Sequence, residues 1–555
     1  MRSSIVGRIP NLVANPTFNL ADVFELVASA VPAREALVCG STRLTFAELD
    51  ERATRAADVF DRELGVGHGD HVAVDLHNCC EYVEVMLACF KLRAVPINVN
   101  YRYVEAELRG LLDDAGACGV VCDPRTEPAV RAASEGRWIV STGPVYEQLL
   151  ARGDPSRTFG PRSGDDHYIL YTGGTTGMPR GVVWRHEDIF FAALGGGNPG
   201  GTPVTRPEDV VTIAPVNTAQ RVAPFLAPGE PGPDEFVALS LGPMMHASGQ
   251  WMALGTLLGG GKVVLYPGAH LEMTEVLDLV EREHVVMLSL VGDAGARPLV
   301  AALEAEPGRW DTSSLRLLGS GGSILSGETR ERLLASLPTV HAISEAVGSS
   351  EAPVQAVALA TRTGPPIRSL EFRARPGVTL VVDDDLRPIE PGSGQVGWLA
   401  AGGRVPLGYH NDPAKSAATF VTIDGARYSL PGDRATLEAD GTIKLLGRGA
   451  LCINTGGEKV YPEEVEAVLK THPLVGDAVV VGVPDERLGQ QVAAVVQPAT
   501  SGGAAPDLAA LQAHCRGLLA GYKLPRRLAV VDRVERSPAG KADYRWAARV
   551  LAAEP

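Results

Sequence analysis

Up to about residue 165, the apolar positions of this 555-residue chain alternate between helical and extended spacing. Leu44-Thr45-Phe46-Ala47-Glu48-Leu49 predicts a helix start, with Thr45 as N-cap. His71-Val72-Ala73-Val74-Asp75-Leu76 predicts a strand, followed by a largely apolar helix around Tyr82 to Phe90 and an extended return at Val95-Pro96-Ile97-Asn98-Val99. His167-Tyr168-Ile169-Leu170 predicts another short strand. This β–α–β alternation implies a layered α/β architecture. The stretch from about Gly195 to Glu235 is rich in Gly, Pro and Thr and carries no periodic signal, and the α/β pattern resumes at Lys262-Val263-Val264-Leu265-Tyr266 and over 283–290.

The last hundred residues form a second pattern. Pro462 to Lys470 predicts an amphipathic helix with Pro in its first turn. Ala478 to Val483 and Gln491 to Val496 predict strands, followed by a helix near Leu508 to Leu519 and a strand over Leu528 to Val531. We therefore expect a large α/β N-terminal domain over 1–448 and a small α+β C-terminal domain over 449–555.

Composition narrows the function classes. Hydrophobic residues at 45% and charged residues at 21% suit a folded globular chain. The formal charge of −15 repels a phosphate backbone and argues against a nucleic-acid partner. No apolar run approaches the roughly 18 residues of a membrane span, and the first residues lack the apolar stretch of a signal peptide, so a cytoplasmic location is expected. The eight cysteines (Cys39, Cys79, Cys80, Cys89, Cys118, Cys122, Cys452 and Cys515) form no paired zinc-ligand set. They are expected to be small reduced side chains.

The candidate chemistry starts at Tyr171-Thr172-Gly173-Gly174-Thr175-Thr176-Gly177-Met178-Pro179-Arg180-Gly181. Glycines let backbone N–H groups turn toward an anion, hydroxyls add donors, and Arg180 brings a fixed cation. Such a loop is suited to phosphate oxygens. It lacks Walker spacing, so an ordinary P-loop is not indicated. Further along stand Pro243-Met244-Met245-His246, Leu318-Gly319-Ser320-Gly321-Gly322-Ser323, Val347-Gly348-Ser349-Ser350-Glu351, Tyr428-Ser429-Leu430-Pro431-Gly432-Asp433, Leu446-Gly447-Arg448 and Ser537-Pro538-Ala539-Gly540-Lys541.

In that order these motifs resemble those of the adenylate-forming superfamily, and most closely actinobacterial acyl-CoA ligases of the steroid side-chain and fatty-acid type. The resemblance covers nearly the whole chain and is densest from Cys452 to Glu466. It implies ATP as substrate, held by Thr172, Gly173, Gly174, Thr175, Thr176, Gly177 and Arg180, with Gly321, Gly322, Ser323, Val347, Gly348 and Ser350 around the nucleotide. It implies that Glu351 helps hold Mg²⁺, that Asp433 accepts the ribose hydroxyls and that Arg448 reaches the ribose or phosphate. It further implies that His246 orients the acid, that Gly457 lines a channel for coenzyme A and that Lys541 bridges the attacking carboxylate and the α-phosphate.

Two positions depart from the family pattern. Arg180 stands where Lys is usual, and Ala450 falls at a hinge that is commonly polar or charged. The motifs report on ATP and not on the acid, so three rivals stay open. One is an ATP-dependent diazotase that activates nitrite for an aromatic amine, and another is a non-catalytic nucleotide-binding relative. The third is a serine hydrolase, although Gly348-Ser349-Ser350-Glu351-Ala352 misses the G-x-S-x-G elbow by its last residue.

Overall fold

The computed structural model describes residues 15–172, 179–197, 202–216, 222–223, 226, 232–268, 270–322, 325, 327–362, 364, 371–448, 453–460, 462–499, 506–535 and 544–553. The predicted N-terminal alternation is present. Helix Phe46–Leu64 starts at a full capping box: Glu48 donates its N–H to the Thr45 hydroxyl, and the Glu48 carboxylate accepts the Thr45 N–H at 2.8 Å. Strand His71–Asp75, helix Cys80–Leu92 and strand Val95–Asn98 follow as a βαβ unit. With Ala117–Cys122 and Trp138–Ser141 they make a four-stranded parallel sheet. Helix Cys80–Leu92 is buried over most of its length, which explains its mostly apolar sequence.

The main sheet has fifteen strands among the described residues. Its centre runs parallel through Glu35–Cys39, Lys262–Leu265, Val237–Ser240, Met287–Leu290, Leu317–Gly321 and Ala342–Ser349. From Ala352–Thr361 onward the sheet is mostly antiparallel, built from short strands up to Thr442–Arg448. This antiparallel half was not foreseen from the sequence. Helices Met273–Glu283 and Gly292–Ala305 cover one face, where Val280, Leu288, Leu299, Leu318 and Ile343 form one core. Among its described residues, the region that gave no periodic signal includes the 3₁₀ turns Gly195–Gly197 and Ala214–Val216 and the short α-helix Asp209–Ile213.

The last strand of the large sheet ends at Arg448, and the next described strand, Ile453–Thr455, belongs to a separate five-stranded sheet. There Val475–Asp485 and Gly489–Pro498 pair antiparallel, and helices Pro462–Leu469 and Leu508–Arg516 pack with them around Val465, Leu469, Val480, Ala494 and Leu511. No described helix is long and apolar enough to cross a membrane. The seven described cysteines are all free.

Candidate active site

The Gly/Thr loop joins two antiparallel strands, His167–Thr172 and Arg180–Arg185, with Thr172 opposite Arg180 at its base. Gly173, Gly174, Thr175, Thr176 and Gly177 lie outside the described residues. The base is fixed by Asn98, at the end of its parallel strand. Its side-chain N–H groups donate to the carbonyls of Tyr171 and Met245, both at 2.8 Å, and its oxygen accepts the Tyr171 N–H at 2.7 Å. One buried amide therefore ties the base of the Gly/Thr loop to the His246 segment. Arg180 is mostly buried and pairs with Asp412, Nε to Oδ2 at 3.0 Å.

Glu351 sits at the turn between Ala342–Ser349 and Ala352–Thr361. The turn is clamped from three sides. The Trp184 indole donates to the Ser350 carbonyl at 3.0 Å, the Ser429 hydroxyl donates to the Glu351 carbonyl at 2.7 Å, and the Tyr409 hydroxyl donates to Glu351 Oε1 at 2.7 Å. Gly348 is required by close approach, since a Cβ there would lie 2.0 Å from the Pro353 carbonyl oxygen. Because the segment is a β-hairpin, Ser349 does not stand on the strand-to-helix elbow that a serine hydrolase needs, and that rival loses its structural basis.

Asp433 is buried, accepts the Gln355 amide at 2.9 Å, and lies opposite Arg448 in the strand register. The Arg448 side chain, Ser323, Ala450 and Lys541 lie outside what is described. Among the described residues no group of three or more His, Cys, Asp or Glu could hold a metal. A Mg²⁺ carried on phosphates often needs only one or two carboxylates, and the single Glu351 carboxylate fits that use.

A cavity of about 980 Å³ joins these parts. Thr172, Gly348, Ser350, Glu351, Gly321, Gly322 and His246 line it, whereas Arg180, Val347 and Asp433 do not. Deeper in, its floor is one face of the main sheet. Leu288, Leu318 and Ile343 point into the core, so Ser289, Gly319 and Ser344 face the cavity by the two-residue period. Those three lie in one register row, ending at Leu359, and Met287, Leu317 and Ala342 form the row behind. Glycine and serine at the centre of the row leave a flat trough spanning about 10 Å from Ser289 to Ser344, two strand spacings. Trp251, Met252, Phe236 and Leu241 add apolar lining.

The C-terminal segment closes the same cavity through Gly456, Gly457, Glu458, Lys459, Tyr522 and Lys523. Glu458 Oε1 accepts from Arg102 Nη1 at 2.6 Å and lies 3.4 Å from His246 Nε2. Burial pulls the Glu458 carboxyl up, but the His246 and Arg102 charges beside it outweigh that and hold it below its ordinary value. Lys523 donates to Glu107 at 2.9 Å, and Asn100 donates to the Tyr522 hydroxyl at 3.2 Å. Gly457 has φ +88°, and a Cβ there would lie 3.1 Å from Val291 Cγ1, so a side chain would be both strained and crowded.

The sequence model described as AMP-binding enzyme matches residues 24–410, and that described as AMP-binding enzyme C-terminal domain matches residues 464–541. The chain belongs to the AMP-binding enzyme family. Within that family it is 42% identical over 554 residues to 3-oxocholest-4-en-26-oate–CoA ligase of Rhodococcus rhodochrous, covering 95% of each chain. It is also 42% identical over 562 residues to the medium/long-chain-fatty-acid–CoA/3-oxocholest-4-en-26-oate–CoA ligase of Mycobacterium tuberculosis, covering 97% of each. Among solved structures, o-succinylbenzoate CoA synthetase from Bacillus subtilis shares the fold with a TM-score of 0.76 at 23% identity, over 96% of this chain and 98% of that one.

Asn98, Gln355, Tyr409 and Glu458 carry contacts that sequence reasoning had not assigned. Glu458 lies in the run where the family resemblance is densest and Asn98 in the predicted extended segment, but their partners are far away in sequence. Gln355 and Tyr409 gave no local signal.

Proposed function

We propose that this protein is an AMP-forming acyl-CoA ligase that activates a bulky, largely apolar carboxylic acid. The observation that carries the reading is the single cavity that runs from the Glu351 turn over the flat trough to Gly457. The acid's carboxylate oxygen attacks the α-phosphorus of ATP, forming an acyl-adenylate as pyrophosphate leaves. The thiol sulfur of coenzyme A then attacks the acyl carbon, and AMP leaves.

The chain's own part is placement and charge. Thr172 to Gly177, with Arg180, grips the triphosphate, and Gly321, Gly322, Ser323, Val347, Gly348 and Ser350 surround the nucleotide. Asp433, held by Gln355, accepts the ribose hydroxyls, and Arg448 reaches the ribose or phosphate. Glu351 would hold Mg²⁺, which neutralises phosphate charge when bound. His246 orients the acid at the start of helix Ala247–Leu257, and Lys541 stabilises charge at the α-phosphate. Gly457 leaves room for the thiol arm. We place the boundary between the two domains at 448/449, and the cytoplasm fits the free cysteines.

The named relatives act on a sterol-derived acid and on medium- to long-chain fatty acids, and the flat trough with its apolar walls of Trp251, Met252, Phe236 and Leu241 suits that class of substrate. The diazotase reading, in which nitrite is activated for transfer to an aromatic amine, has no relative among those named in its favour. Lys541→Ala is expected to lower acid-dependent pyrophosphate release by at least about 100-fold, while a synthetic acyl-adenylate is still converted to acyl-CoA. An unchanged release rate would show that Lys541 has another role.

A further inference from the structure

We propose that Tyr409 is a positioning residue that fixes the Glu351 carboxylate and aims its second oxygen at a divalent cation carried on the phosphates. The proposal rests on the reading of Glu351 as the metal-holding carboxylate.

Tyr409 lies on a two-residue strand, Gly408–Tyr409, that pairs with Val183 and Val182 of the phosphate-loop hairpin. Backbone bonds extend the pairing on either side: Leu407 donates to the Val183 carbonyl at 2.8 Å, and His410 donates to the Gly181 carbonyl at 2.7 Å. The Tyr409 N–H donates to the Ser416 hydroxyl at 2.8 Å, and a Cβ on Gly408 would meet that same oxygen at 2.9 Å. The ring packs against Phe420, with centroids 5.4 Å apart. Position and tilt of the phenol are thus set by the hairpin that carries the phosphate loop.

From there the phenol reaches across to Glu351 Oε1 at 2.7 Å, while Ser429 holds the Glu351 carbonyl. With Oε1 taken, Oε2 accepts no hydrogen bond among the described residues and is left for a cation. Three residues on, Asp412 holds Arg180 at 3.0 Å and accepts the Lys415 N–H at 2.9 Å. One short strap therefore touches both the carboxylate and the cation assigned to the triphosphate. A hairpin that needed only packing would be served equally by phenylalanine at 409.

Tyr409→Phe in the full-length protein tests this. Mn²⁺ binding in the presence of a non-hydrolysable ATP analogue, followed by the Mn²⁺ paramagnetic signal, is expected to weaken about tenfold. Binding of the same analogue in EDTA and the thermal unfolding midpoint are expected to stay at the wild-type values. The Mg²⁺ concentration for half-maximal pyrophosphate release should rise by a similar factor, with the rate recovered at saturating Mg²⁺. In a Glu351→Gln background the Phe substitution should add nothing. A Mn²⁺ titration superimposable on wild type, or an equal loss of metal-free analogue binding, would overturn the role of Tyr409. A wild-type protein that binds the analogue but no Mn²⁺ would overturn the reading of Glu351 itself.

Discussion

Asp75 closes the strand His71–Asp75 with a buried carboxyl whose Oδ1 has no hydrogen-bond partner among the described residues. Burial, with a smaller push from Asp123, raises it to about 6. A carboxyl raised in the folded state favours folding fully below its unfolded value of about 3.9, and that contribution is lost as pH climbs through about 6. Asp75→Asn removes the ionisation. Its stability relative to wild type should therefore improve by about 1 kcal/mol between pH 5 and pH 7.5, measured by denaturant unfolding at both values. A margin that does not change with pH would contradict the raised, buried carboxyl. Asn98 is the contrasting case, since its amide makes three hydrogen bonds that join the base of the Gly/Thr loop to the His246 segment. Neither residue announced its role in the sequence. A strand-end Asp or Asn reads the same whether its partners are water, backbone or nothing, and only the tertiary neighbours decide.

At the level of elements, the trough depends on the register of three parallel strands. Ser289, Gly319 and Ser344 align because Met287–Leu290, Leu317–Gly321 and Ala342–Ser349 pair without a bulge in that row. A Cβ on Gly319 would already lie 3.0 Å from Met287 Cε and 3.9 Å from Ser289 Oγ. Gly319→Leu should fill the centre of the floor. Measured as kcat/KM for acyl-CoA formation, we expect a loss of about 100-fold for polycyclic or branched acids and little change for short linear acids. Equal losses for both would place the acid elsewhere.

The same element shows what a sequence can disclose. The strand at His167, the helix start after Thr45 and the helix at Pro462 were legible because their chemistry is local: turns, caps and short-range spacing. The antiparallel half of the main sheet was not, because strands such as Glu371–Ala374 and Ala426–Ser429 are four residues long and show little buried alternation. Gln355 and Tyr409 were missed for a related reason. Each acts on a residue more than fifty positions away, through a contact that only the folded sheet creates.

For the whole molecule, two sheets of different construction meet at one cavity. The C-terminal part enters it with Gly457 and Glu458, and Arg102, Glu107 and Asn100 of the N-terminal part hold that closure through Glu458, Lys523 and Tyr522. The described arrangement thus brings the segment assigned to the thiol arm against the trough assigned to the acid. With a net charge of −15, the proposed grip on the triphosphate rests on the local cation Arg180 and not on an overall positive field.

The central claim is tested most directly by mass-spectrometric product analysis of the purified protein with ATP, Mg²⁺, coenzyme A and a panel of acids that includes sterol-derived, long-chain and aromatic carboxylates and nitrite with an aromatic amine. AMP and acyl-CoA are expected in equal amounts, with the highest turnover on a bulky apolar carboxylate. AMP formed only with nitrite and the amine, or no AMP with any carboxylate, would contradict it.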